Sequence, residues 1–126
     1  MPEDERAGVG VRTGRELFVS WTIPSSGGGH ATYLLDLVEW AYPNGRSGWD
    51  NEREVVLRPD GTVRSKAPTR GNRYAAAEMF PDPIEAIESG AMVVITRDKF
   101  DGYWNAPVLR GPGLMAKLRS FLRNAR

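Results

Sequence analysis

A chain of 126 residues with 40% hydrophobic and 26% charged side chains is long enough for one globular core and too apolar to be disordered. It has no cysteine, which excludes disulfide frameworks and thiolate metal sites, and no apolar run approaches the roughly 18 residues that a membrane span needs. Net charge is only +1, yet residues 1–57 hold 9 acids and 5 bases while residues 58–126 hold 7 acids and 12 bases. That asymmetry suits an anionic partner for the second half, or simply a dipolar surface.

Residues 1–14 are polar and glycine-punctuated and read as a flexible tail ahead of one α+β domain over 15–126. The N-terminus lacks the basic-then-apolar order of a secretory signal, so a cytoplasmic location is expected. From Glu16, the set Leu17, Val19, Trp21 and Ile23 alternates with Phe18, Ser20 and Thr22, the two-residue period of a strand with one buried face. Pro24 and the run Ser25-Ser26-Gly27-Gly28-Gly29 end it. Over 31–42, Leu34, Leu37, Val38 and Ala41 fit a helical stripe, but aromatic and branched residues are dense and Pro43-Asn44-Gly45 suits a turn after a strand. Strand-like neighbours on both sides favour a strand.

Residues 52–58 and 62–66 form the clearest hairpin, joined by Pro59-Asp60-Gly61. Residues 67–80 read as an extended connection with a short ordered piece near Tyr74. Asp82-Pro83-Ile84-Glu85 is a helix start: Asp82 caps, proline occupies the first position, Ile84 and Ile87 face inward, and Gly90 terminates. Residues 91–95 form a continuous apolar run expected to be a buried central strand. Thr96 caps a second short helix in which Phe100 and Trp104 stack one turn apart. After Gly111-Pro112-Gly113, residues 114–124 make an amphipathic basic helix. The fold class expected is therefore α+β: a mostly antiparallel sheet of about four to five strands, two short helices and a C-terminal amphipathic helix.

The stretches Leu17–Trp21, Arg53–Val63, Pro83–Ile87 and Ile95–Trp104 occur in an order that resembles a family of small uncharacterised bacterial domains. In these a strand ending near tryptophan leads to a hairpin with an acidic-Gly turn. A proline-capped helix, one more strand and a helix with a Phe-x-x-x-Trp pair follow. The resemblance spans about two-thirds of the chain; it implies the fold and transfers no activity, cofactor or site residue.

The chemistry-bearing residues are sparse. His30 is the lone histidine, and Ser25 or Ser26 would be its nucleophilic partner in a hydrolase or nuclease-like toxin; no acid is placed by sequence to orient the ring. The triple glycine lacks the Lys-Ser/Thr of a phosphate loop. Asp36 with Glu39, and Asp98 with Asp101, have a spacing that magnesium ligands can use, but acids so spaced occur on most helices and they read as solvated surface charge. No catalytic residue, metal or cofactor is expected. Arg64, Lys66, Arg70 and Arg73 near Tyr74, with Lys117, Arg119 and Arg123 in the last helix, are candidates for anion or nucleic-acid contact. Trp40 and Trp49 flank the loop over 43–48 and, with Asp36 and Glu39, are candidates for a protein interface. Elimination points to a small non-catalytic protein-binding module, of the immunity or inhibitor kind, ahead of a nucleic-acid-binding accessory domain.

Overall fold

The computed structural model describes residues 10–24, 28–69 and 80–109. Strands β1 (Val11–Pro24), β2 (His30–Ala41), β3 (Ser47–Leu57) and β4 (Val63–Ala67) run as an antiparallel meander. Helix α1 (Pro83–Ser89) then leads to β5 (Met92–Val94), which returns antiparallel to β1, and α2 (Arg97–Trp104) follows. The strand order is β4-β3-β2-β1-β5, a five-stranded antiparallel sheet with two helices. The expected C-terminal helix lies outside the described residues.

Strand β1 begins at Val11, ahead of the Glu16 start that the alternation marks, because Val11 pairs with Ala41 and Arg12 with Trp40. A bulge between Arg12 and Glu16, with Gly14 at φ 91°, breaks the period just where the sequence reads as tail. The expectation of one buried face on β1 is also corrected: Phe18 and Val19 are consecutive and both buried. Alternate side chains serve two cores. On one face Phe18, Leu34, Val55, Leu57 and Val63 pack with Phe100 of α2. On the other, Val19, Leu35 and Leu37 pack with Ala86 of α1 and Met92.

Residues 31–42 are strand. Leu34 to Glu39 are buried in succession because β2 is the central strand, covered on both faces, which erases any two-residue contrast. The β3–β4 turn forms as its residues dictate. Gly61 takes φ 86°, its N–H donates to the Arg58 carbonyl, and Asp60 Oδ1 accepts from the Thr62 N–H at 3.0 Å. Asp82 caps α1 through Ile84 N–H at 2.9 Å, and Gly90 closes it in the left-handed region. The inward residues of α1 are Pro83 and Ala86, with Ile87 half-buried; Ile84, expected inward, is 37% exposed. Thr96 Oγ1 caps α2 by accepting from Lys99 N–H at 3.0 Å, and Phe100 stacks on Trp104 with ring centroids 6.2 Å apart.

The apolar run over 91–95 is not a central strand. β5 lies at the sheet edge, and only Met92 is buried; Val93 and Val94 stand exposed. An apolar run reports β preference and not position in the sheet.

Candidate functional site

Two constellations gather the chemistry-bearing side chains, one on each face of the sheet. The first begins at the β1 bulge. The extra residues there swing Thr13 and Arg15 over Glu39, whose two carboxylate oxygens accept from Thr13 Oγ1 at 2.8 Å and Arg15 Nη1 at 3.1 Å. Glu39 is paired across β3 with Trp49, so the same Arg15 guanidinium lies 5.3 Å from the Trp49 ring centroid. Trp49, held in this way, forms one wall of an open groove of about 320 Å³. Ser47 and Gly48 continue that wall, and Phe80, Pro81, Asp82 and Pro83, leading into α1, make the other.

The second constellation lies under α2. Asp36 and Arg53 are direct cross-strand partners, and Arg53 Nε donates to Asp36 Oδ2 at 2.9 Å. Arg53 also reaches Asp101 Oδ1 on α2 at 3.3 Å, and its guanidinium sits 4.8 Å from the Phe100 centroid and 5.3 Å from that of Trp104. Glu16 receives Arg97 from the first turn of α2, and Arg97 lies 4.9 Å from the Phe18 centroid. Burial pushes the Asp36 carboxyl up to about 6, with the neighbouring Glu16 adding to the rise and Arg53 opposing it. Glu16 is held below its ordinary range by hydrogen bonding to Asp36 and by the charge of Arg97.

Of the expected interface residues, the structure therefore separates the acids from the aromatics. Asp36 and Glu39 are buried at 3% and 9% exposure and engaged by arginines, a correction to their reading as solvated surface acids. Their arginine partners come from other strands, so burial carries its own compensation. Trp49 lines the groove. Trp40 lies on the opposite sheet face, under the Arg12 guanidinium at 5.6 Å, with its indole N–H buried and without a partner among the described residues. The two tryptophans thus do not share a patch.

Arg64 is exposed on β4, whereas Lys66 turns to the Ala106 carbonyl just beyond α2, so the two do not line one groove. Arg70, Arg73, Lys117, Arg119 and Arg123 lie outside the described residues, as do Ser25 and Ser26. His30 is exposed at the first position of β2, opposite Pro24, and no carboxylate orients it among the described residues. No group of three or more His, Asp or Glu side chains suited to a metal ion occurs among the described residues. No described helix is long and apolar enough to cross a membrane. Sequence reasoning missed Arg15, Arg53 and Phe80. Their roles depend on strand register and on the approach of 80–83 to β3, which no local pattern encodes.

No protein-family model, curated protein or solved structure matches this chain.

Proposed function

We propose that the domain is a small non-catalytic protein-binding module whose contact surface is the groove between Ser47–Trp49 and Phe80–Pro83. The observation that carries this reading is the groove itself. The open channel presents mostly polar surface, to which Ser47, Gly48 and Asp82 contribute, and within it Trp49, Phe80 and Pro81 supply rigid apolar area. Rings and prolines lose little conformational freedom on contact, which favours association. The Arg15 stack on Trp49 and the Arg15–Glu39 pair fix the indole before any partner arrives. A partner of matching chemistry presents an extended segment with proline or aromatic side chains and a few hydrogen-bond donors. The immunity and inhibitor proteins of bacteria are one class of small domain that acts in this way, by occupying another protein and carrying out no reaction.

The test compares capture of partners by the native protein and by two variants. The expected result is a stoichiometric protein partner that Trp49→Ala loses and Arg64→Glu retains. Equal capture by Trp49→Ala sinks the reading. Loss with Arg64→Glu, together with a steep dependence on salt, transfers it to a nucleic-acid partner.

A further inference from the structure

Asp36 on β2 is faced by charge from every element packed against it. Glu16 comes from β1, Arg53 from β3, and Arg97 and Asp101 from α2. With all five ionised, three carboxylates stand against two guanidiniums, an excess negative charge beside a carboxyl that is only 3% exposed. Asp36 Oδ2 accepts from Arg53, but Oδ1 is buried and has no donor among the described residues. Glu16 stands opposite Val38 and Phe18 opposite Asp36, so the Glu16 carboxylate is the diagonal neighbour of Asp36 on the same sheet face and brings no donor when ionised. A buried carboxyl oxygen beside a second carboxylate is satisfied by one proton held on the pair.

We propose that Asp36 keeps a proton that it shares with Glu16, and that release of this proton loosens α2 from the sheet, so that the ion-pair layer acts as a pH-sensitive latch. The buried member of the pair holds the proton because desolvation penalises its charge most, and its carboxyl is accordingly pushed up to about 6. Glu16, whose side chain is 27% exposed and beside Arg97, remains the anion. Once Asp36 ionises, the two carboxylates repel, and the side chain with room to move is Glu16. Arg97, in the first turn of α2, is its ion-pair partner and moves with it.

The direction with pH follows from which state binds the proton more tightly. Folded Asp36 binds it more tightly than an ordinary aspartate of 3.8, so its stabilising contribution is complete below about that pH and is lost as pH rises through about 6. Glu16 has the opposite sign: its contribution is present above 4.5 and fades only as pH falls through its lowered value. Between mildly acidic and neutral pH, the change in the layer is therefore the Asp36 proton.

The experiment is a carbon-13 carboxyl titration of the full chain, read alongside the Trp104 indole resonance and amide exchange across 97–104. The expected result is an Asp36 midpoint near 6, a Trp104 shift following the same curve, and α2 protection factors falling roughly tenfold from about pH 5 to about pH 7, the portion of the rise from 3.8 to about 6 that is lost over that interval. Asp36→Asn, which mimics the protonated form, abolishes the midpoint and leaves α2 protection flat with pH. Glu16→Gln supplies a neutral donor to Asp36 and shifts the midpoint down; this variant carries the test if the other fails to fold. An Asp36 midpoint in the ordinary carboxylate range overturns the proposal. So does a midpoint near 6 with the Trp104 signal and α2 protection unchanged.

Discussion

Phe100 is the side chain through which α2 joins the core. It is fully buried, its ring centroid lies 5.3 Å from that of Phe18 and 6.2 Å from that of Trp104, and Arg53 covers it. Truncation leaves a cavity between helix and sheet that neither the sheet nor an eight-residue helix can collapse to fill. Phe100→Ala is expected to destabilise by about 3–5 kcal/mol in urea unfolding. Ile84→Ala, on a side chain 37% exposed, is expected to stay below about 1 kcal/mol. The contrast is informative because hydrophobicity alone ranks the two residues together. A larger loss at Ile84 would show that α1 presents its other side to the sheet.

At the scale of elements, what the sequence made legible was chemistry confined to a few neighbouring residues. The Asp82 and Thr96 caps, the Pro59-Asp60-Gly61 turn and the Phe100–Trp104 stack all form between near neighbours, and each appears where its residues place it. Elements whose character depends on position in the sheet were harder. Residues 31–42 look ambiguous because a central strand buried on two faces loses its period, and residues 91–95 look central because the edge of a sheet leaves no mark in an apolar run. This second case has a measurable consequence. Val93→Lys should change stability by no more than about 0.5 kcal/mol, since the side chain is 60% exposed on an edge strand where lysine is well tolerated. It should also raise the concentration at which the protein begins to self-associate in light scattering. A loss of several kcal/mol is what the buried central reading requires, so unfolding of this one variant decides between them.

For the whole molecule, the mostly antiparallel sheet with its two short helices was legible while the two functional constellations were not, and the reason is register. Arg53 meets Asp36 only because β3 pairs with β2 at that position, and Arg15 reaches both Glu39 and Trp49 only because a bulge displaces it. A slip of one residue would send each side chain to the opposite face. The same register gives the sheet a graded stability. β2 is flanked on both sides along its length and lends side chains to both cores, whereas β5 pairs over Val19, Ser20 and Trp21 alone. Opening β2 requires separating it from both β1 and β3 and freeing both helices from the sheet; opening β5 requires far less. Amides of Leu35 and Leu37 should therefore exchange only through global unfolding, with a denaturant dependence equal to that of the whole domain. Amides of Val93 and Val94, and those at the β1 bulge around Gly14, should exchange through local openings nearly insensitive to denaturant. If β2 exchanged through an opening smaller than the global one, the two cores would be separable units and the sheet would not be the common wall that couples them.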